Sequence, residues 1–339
     1  MLRAIEIAQR GAGNVAPNPM VGCVIVHDGV VIGEGWHRNY GGPHAEVHAI
    51  QSVNDKSLLS QSELYVTLEP CSHFGKTPPC AELIVDSKIP KVTIACLDPN
   101  PLVAGNGVEK LKRTGIEVKL GIHQKEAYFM NRRFFTFMEK KRPYIHLKWA
   151  MTSDGFIDKL RSEGELGSFR ISGDAARRVS HRWRTEESAI LVGSRTALID
   201  NPELTSRFWS GISPICVLID PSLKVPEDAK LFHKDRLTLV YNRLIEKVTA
   251  NAQFVKIQGD DLLQEILNDL FERKIQSVLV EGGAQTLQSF INQNCWDEIS
   301  VFQSKIQLNE GLSAPCFKST FATIEVIGED TLTQYYNNH

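Results

Sequence analysis

Apolar positions along this chain change period repeatedly, and each change marks an element. Residues 2–9, "LRAIEIAQ", alternate charge with apolar residues at helical spacing and predict a short amphipathic helix. After the loop "GNVAPNP" come two apolar runs, "VGCVIVHDGVVIGEGWH", on either side of Asp28-Gly29. That dipeptide between β-branched runs predicts a hairpin. From there strands and helices alternate. A helix is expected near 44–52, a strand at "ELYVTLEP", a helix from about Pro79 and a strand at "KVTIACLD". A helix near 106–114, a strand at "IEVKLG" and a longer amphipathic helix over roughly 123–141 follow. The cluster "KKRPY" at 140–144 ends that helix and sets Pro143 before a new strand, "YIHLKWAM". A domain boundary is expected there, dividing the chain into 1–142 and 143–339. The second half alternates again: a helix near 173–184, strands "AILVG", "ICVLID" and "LTLVY", a helix near 261–273, strand "SVLVEGG", a helix, and strand "EISVFQSKI". No repeat relates the halves. The pattern predicts two different α/β domains in tandem, each a sheet with helices on both faces.

Composition narrows the function classes. At 339 residues, the chain is long for one domain and comfortable for two. Its formal net charge of -2, from 38 basic and 40 acidic residues, supplies no electrostatic reason to expect nucleic acid or a membrane surface as partner. No run approaches the ~18 apolar residues of a spanning helix, and the N-terminus lacks the continuous apolar core of a signal peptide. The 7 cysteines are odd in number and scattered, which favours a reduced, cytoplasmic setting over a disulfide framework.

The candidate chemistry begins at Gly42-Pro43-His44-Ala45-Glu46-Val47-His48. A zinc-protease helix carries glutamate directly after its first histidine. Here Glu46 lies two residues beyond His44, about 200° around a helix rather than about 100°. The protease reading fails on that spacing, and His48 loses its main argument as a ligand. A zinc deaminase instead needs His-x-Glu at a helix start, followed by Pro-Cys and a further Cys. The chain supplies "HAE" at 44–46 and "EPCSHFGKTPPC" at 69–80. Eight residues separate Cys71 from Cys80 where two are usual, so a loop is inserted between the thiolates. Tetrahedral coordination constrains where the sulfurs end up, not the path of the chain between them. His44, Cys71 and Cys80 are therefore the expected ligands of one zinc ion per chain, with a fourth position left for water, whose pKa zinc lowers. Glu46, which is not a ligand, is the expected catalytic proton carrier. A structural zinc is disfavoured, because Glu46 would then have no task.

These motifs resemble those of the bifunctional riboflavin-biosynthesis deaminase/reductase family. In the first half the resemblance rests on "PNPMVGCVIV", "GEGWH", "GGPHAEVHAI", "YVTLEPCSHFGKTPPC" and "DPNPLVAGNG". It implies a cytidine-deaminase-like three-layer α/β/α domain. The implied substrate is a diamino-pyrimidinone bearing a ribosylamino 5'-phosphate, with contacts at Asn18, His73 and Lys76. The second half matches through "YIHLKWAMTSDG", "ISGDAARR", "AILVGSRTALIDNPELTSR" and "VLVEGGAQTL". It implies a dihydrofolate-reductase-like α/β domain that uses NADPH to reduce the ribosyl chain to ribityl. Carried over by position, Ser168, Arg184, Leu204, Arg207 and Glu281 are substrate positions, with Arg184 and Arg207 suited as phosphate forks. Ala150, Arg170, Thr196, Asp200 and the segment Gly283, Ala284, Gln285, Thr286, Leu287, Gln288, Ser289 are NADP positions. The chain departs from the family at Arg170, where Trp is common, and at Phe-Ile-Asp after Asp154-Gly155. Read physically, Gly282-Gly283 between an apolar strand and a helix lets backbone amides approach phosphate. No G-x-G-x-x-G is present, so a Rossmann fold is not indicated.

The resemblance implies small-molecule phosphoribosyl pyrimidine substrates and association into homo-oligomers, although no interface stripe is visible. The chief rival is a nucleoside or nucleic-acid zinc deaminase with an unrelated or weakly active C-terminal domain. Charge balance and the long loop between the cysteines stand against it. A zinc-stabilised scaffold without activity is the second rival.

Overall fold

The amphipathic N-terminal segment forms helix α1 (Leu2–Ala8), and the runs around Asp28-Gly29 form strands β1 (Gly22–His27) and β2 (Val30–Trp36). Asp28 and Gly29 both have left-handed backbone, φ 47° and 76°, as a two-residue hairpin turn requires. The structure is a computed structural model that describes residues 1–72, 79–100, 104–232, 235–318 and 322–337. The chain divides into two compact units, Met1–Lys141 and Arg142–His339.

In the first unit α2 (Ala45–Ser52), β3 (Glu63–Leu68), α3 (Cys80–Asp86), β4 (Lys91–Cys96), α4 (Asn106–Arg113) and β5 (Glu117–Leu120) follow. The sheet order is β2-β1-β3-β4-β5, antiparallel at the hairpin and parallel over β3, β4 and β5. Side chains alternate across each strand, and both faces are apolar. Cys23 and Ile25 of β1 pack with α2, α3 and α4, through Ala49, Ile84 and Leu111. Val24, between them, packs with Ala4 and Ile7 of α1. The result is three layers with the sheet in the middle.

The single long helix expected over 123–141 is two helices, α5 (Gln124–Met130) and α6 (Arg132–Lys140). They break at Asn131, whose buried amide donates to the carbonyl of Met20 and accepts from its N–H, both at 2.8 Å. A tertiary pair of hydrogen bonds overrides helical periodicity there.

In the second unit come β6 (Tyr144–Met151), β7 (Phe156–Asp158), α7 (Asp174–Glu186), β8 (Ala189–Gly193), α8 (Ser194–Asp200), β9 (Ile215–Ile219) and β10 (Thr238–Asn242). They are followed by β11 (Lys247–Val248), β12 (Ala252–Lys256), α9 (Leu262–Glu272), β13 (Ser277–Val280), α10 (Ala284–Asn292), β14 (Glu298–Gln303), β15 (Leu312–Ser313), β16 (Ala322–Ile327) and β17 (Asp330–Tyr336). Seven strands, β12-β10-β9-β8-β13-β6-β14, run parallel through the middle of a 10-stranded sheet, with β11 on one edge and β17-β16 on the other antiparallel to their neighbours. Val278 and Val280 pack on α9 and α10, whereas Leu279 faces the core under α7 and α8. The short α8 and the β16–β17 hairpin are not among the elements expected from the sequence. The outer strand β16 is almost wholly exposed, Ile324 and Val326 included, while β17 turns Leu332 into the core. Among the described residues no helix is long and apolar enough to cross a membrane.

Candidate active sites

In the first unit, β2 presses against α2 so closely that a Cβ on Gly35 would stand 2.3 Å from the N of Ala49 and 2.4 Å from the O of Ala45. Glycine at that position lets α2 lie close on β2, with His44 at its N-terminus beside Cys71 and Cys80. His44 is the N-cap of α2, and Glu46 lies in its first turn. Cys71 follows β3 after Glu69-Pro70, and Cys80 opens α3 with Pro79 as N-cap. His44 Nδ1 lies 3.3 Å from Cys80 Sγ and 3.6 Å from Cys71 Sγ. The three ligand atoms all fall within 4.8 Å of one another.

That geometry fits a cation. At zinc–sulfur and zinc–imidazole bonds of about 2.3 and 2.0 Å, a tetrahedral ion separates nitrogen from sulfur by about 3.5 Å. The observed separations straddle that value. The backbone N–H of Cys80 donates to Cys71 Sγ at 3.3 Å, which favours thiolate there. The hydrogen bond from Cys80, and then His44, hold the Cys71 thiol down to about 4, and the contact with Cys71 pushes Cys80 up. His48 is no part of this cluster.

Glu46 is buried, and its Oε2 has no hydrogen-bond partner among the described residues. A bare buried carboxylate oxygen costs free energy unless a ligand or water meets it. Burial pushes its carboxyl above the ordinary range, with the nearby His44 opposing. Asn18, an expected substrate contact, has its Nδ2 3.2 Å from Nε2 of His37. His37 Nδ1 lies 3.0 Å from the carbonyl of Pro43 and so donates to it, leaving Nε2 to accept from Asn18. The "PNP" loop and the residue before His44 are thus joined through one imidazole. His37 lies in "GEGWH", yet nothing local marks it as functional. His73 and Lys76 lie outside the described residues.

Glu69 also emerges only in three dimensions. It is buried, and its Oε1 accepts from the N–H of Gly107 (2.9 Å) and Val108 (3.1 Å). Its Oε2 accepts from Gly105 (3.0 Å) and Asp98 (3.3 Å). One carboxylate thereby caps α4 and gathers the "DPNPLVAGNG" segment against the strand end that presents Cys71.

In the second unit, a cavity of about 650 Å³ lies at the carboxyl ends of β6, β8, β9 and β13. Ligands of parallel α/β sheets bind at such ends. Of the expected residues, Ser168, Glu281, Ala150, Arg170, Thr196, Asp200, Gly283, Ala284, Gln285, Thr286 and Leu287 line it. Ser289 lines a neighbouring cavity of about 600 Å³, to which Gln285 and Thr286 also contribute. Gln288 does not reach either wall; its amide donates to Asn292 Oδ1 and the Cys316 carbonyl and accepts from the Cys316 N–H. A Cβ on Gly282 would lie 2.5 Å from Val192 Cα, and Gly283 has φ 55°. Both glycines are needed for α10 to start against β8 with its N-terminus at the cavity.

Neither arginine expected as a phosphate fork is open. Arg184 donates from Nε and Nη2 to the two oxygens of Glu281, each at 2.8 Å, and from Nη1 to the carbonyl of Thr205 at 2.8 Å. Arg207 is exposed and paired with Glu203 at 3.2 Å. Burial alone would raise the Glu281 carboxyl, but Arg184 and Lys148 outweigh it and hold it down to about 2. Burial also pushes Asp200 up to about 6, with Arg161 opposing. Leu204 is buried in the core at φ 56°, so its side chain is not on the cavity wall. Arg236 holds that strained backbone, donating to the carbonyls of Glu203 and Leu204 at 2.7 Å each. Three consecutive carbonyls, 203 to 205, therefore accept from arginines. Arg170 lines the cavity while bonded to Asp174 and the Ser172 carbonyl.

Comparison with known proteins reaches both units. Residues 1–96 match the cytidine and deoxycytidylate deaminase zinc-binding region, and residues 143–308 match the RibD C-terminal domain. The riboflavin biosynthesis protein RibD of Aquifex aeolicus is 41% identical over 319 residues, covering 92% of this chain and 88% of its own. That of Bacillus amyloliquefaciens is 41% identical, covering 93% of this chain and 86% of its own. Among solved structures, the diaminohydroxyphosphoribosylaminopyrimidine deaminase/5-amino-6-(5-phosphoribosylamino)uracil reductase of Thermotoga maritima superposes with a TM-score of 0.89 at 38% identity, covering 99% of this chain and 97% of its own. RibD of Acinetobacter baumannii superposes at 0.87 with 32% identity, covering 100% and 98%.

Proposed function

The chain belongs to the RibD family of riboflavin-biosynthesis proteins, and from that premise we propose how its residues divide two consecutive reactions. It is a bifunctional enzyme, with a zinc deaminase step followed by an NADPH-dependent reductase step. The rival with an unrelated C-terminal domain loses its basis, since residues 143–308 match the family's own reductase domain.

The first substrate is 2,5-diamino-6-(5-phosphoribosylamino)pyrimidin-4(3H)-one. His44, Cys71 and Cys80 would hold zinc, which when bound lowers the pKa of a water in its fourth position towards neutrality. Glu46 holds and passes protons at Oε2, taking one from the attacking water and giving it to the pyrimidine ring nitrogen and then to the amine, as the water oxygen replaces that amine on the ring carbon and ammonia leaves. Asn18, His73 and Lys76 contact the substrate in this reading, with His37 orienting Asn18.

The second step reduces the ribosyl group to ribityl, giving 5-amino-6-(5-phosphoribitylamino)uracil. NADPH held in this cavity would supply the hydride for that reduction at the sugar's anomeric carbon. Ala150, Arg170, Thr196, Asp200 and the Gly283–Ser289 segment form the cofactor side, where the start of α10 offers amides and a positive dipole end to phosphate. Ser168, Arg184, Leu204, Arg207 and Glu281 form the substrate side. Arg184 acts by holding Glu281 ionised and aimed. Reduced thiols suit a cytoplasmic setting, and the same reading includes association into homo-oligomers.

The unpaired, buried Oε2 of Glu46 beside the His-Cys-Cys cluster carries this conclusion. The test is Glu46→Gln, which keeps the volume and removes the proton carrier. Ammonia release from the diamino-pyrimidine should fall by about 10²–10⁴-fold with zinc still bound. Oxidation of NADPH on adding the deaminated pyrimidine should be unchanged. Full deaminase activity in that variant would end the proposed mechanism.

A further inference from the structure

On one face of α7, Arg177, His181 and Arg184 recur at a spacing of four and three residues. Arg177 and His181 meet Phe208, whose ring lies 3.9 Å from the Arg177 guanidinium carbon, 5.3 Å from that of Arg207 and 4.7 Å from the His181 ring. The three arginines whose charges act on Arg177 each have a carboxylate of their own: Asp174 for Arg170, Glu281 for Arg184, Glu203 for Arg207. Arg177 has none among the described residues, and it lines the reductase cavity. Burial and the like charges of Arg207, Arg170 and Arg184 hold its guanidinium below its ordinary range, with Asp174 opposing at longer range than an ion pair. Beside it, His181 is buried with Nδ1 unpartnered, and burial followed by Arg184 holds its imidazole down to about 4. The packing of Arg177 on Phe208 occupies a guanidinium face and leaves the N–H edge free to form paired hydrogen bonds.

A cluster of cations with one member outside any ion pair among the described residues, oriented on an aromatic ring at the wall of a cavity, is built to receive an anion. We propose that Arg177 binds the phosphate monoester of the reductase's pyrimidine substrate on the Phe208 side of the cavity. This rests on the reductase reading above and changes its phosphate site. Arg184 is committed to Glu281 and Arg207 to Glu203, so Arg177 supplies the charge that selects a phosphorylated sugar over a free one. A dianionic phosphate would be matched there by paired, charge-assisted hydrogen bonds.

The test compares wild type, Arg177→Gln and Arg177→Lys in NADPH oxidation, using the deaminated pyrimidine phosphate and its dephosphorylated counterpart. In Arg177→Gln the KM for the phosphorylated compound should rise at least tenfold with kcat within about threefold. Turnover of the dephosphorylated compound should be unchanged, and Arg177→Lys should recover part of the loss. Inorganic phosphate should compete with substrate in wild type and not in Arg177→Gln. Equal losses on both compounds would reduce Arg177 to a structural role and overturn the proposal, as would an unchanged KM. A rise confined to the KM for NADPH, with the preference over NADH lost, would assign Arg177 to the cofactor's 2'-phosphate instead and also overturn it. Absence of NADPH oxidation in wild type would remove the reductase reading itself.

Discussion

At the scale of single residues, Glu69 and Cys71 stand two positions apart and do different work. Cys71 offers its sulfur to the ligand cluster, while Glu69 turns away and takes four backbone amides on its two oxygens. A glutamine there keeps one acceptor oxygen and brings a donor towards N–H groups that cannot accept. Leaving a buried amide unpaired costs about 1–3 kcal/mol, so Glu69→Gln should lower stability by about 3 kcal/mol in denaturant unfolding. Zinc should also be withdrawn faster by a competing chelator, because the segment that backs Cys71 loosens. Unchanged stability and unchanged zinc retention would show that the four contacts do not support the site. The sequence contains "LEPC" plainly, yet a glutamate before Pro-Cys reads equally well as a surface charge. Its role depends on amides some thirty-five residues onward, which no local pattern reveals. His44, Glu46, Cys71 and Cys80 were legible because coordination chemistry restricts residue type and order.

At the scale of elements, the start of α10 against β8 shows what apolar periodicity leaves out. "SVLV" reads as a buried strand, and "EGG" reads as a turn. The structure adds the reason for Gly282: the Cβ of any other residue would stand 2.5 Å from Val192 Cα and 2.9 Å from the N of Gly193. Gly282→Ala should therefore push α10 off β8. A destabilisation of about 1–3 kcal/mol is expected from such overpacking, together with a raised KM for NADPH and an unaffected deaminase step. Thermal unfolding and cofactor titration would check both. The same scale explains the two elements misjudged from sequence. Periodicity ran on through Asn131 because its neighbours on both sides keep an apolar face, but the Asn131 amide is better satisfied by the backbone of Met20. In the β16–β17 hairpin Ile324 and Val326 alternate with Thr323 and Glu325, but both apolar side chains face water, so the alternation there does not mark a core-facing strand.

At the scale of the whole molecule, all three ligand atoms of the metal cluster belong to Met1–Lys141, and the cavity belongs to Arg142–His339. Removing zinc with a chelator should therefore abolish ammonia release from the diamino-pyrimidine. The rate of NADPH oxidation on the deaminated pyrimidine should stay within about twofold of that of the untreated protein, and readdition of zinc should restore the first step. Loss of both activities together would show that the reductase chemistry also depends on the metal.

What the sequence determined by itself is the chemistry that residue type and spacing constrain: two alternating α/β halves, a hairpin at Asp28-Gly29, a His-x-Glu joined to two distant cysteines, and a strand–Gly-Gly–helix start. Each follows from short-range rules, namely the period of apolar burial, the backbone freedom of glycine, and the small set of side chains that ligate zinc. Tertiary structure alone decided which charges are free. Arg184 and Arg177 lie seven residues apart on one helix and read alike in the chain. One forms an ion pair with Glu281 at the end of β13, and the other lies on Phe208 beside more arginines, outside any ion pair among the described residues. Electrostatic partners act through space over a few ångströms and come from segments of any separation, so pairing, and with it the identity of the anion receptor, is a property of the fold.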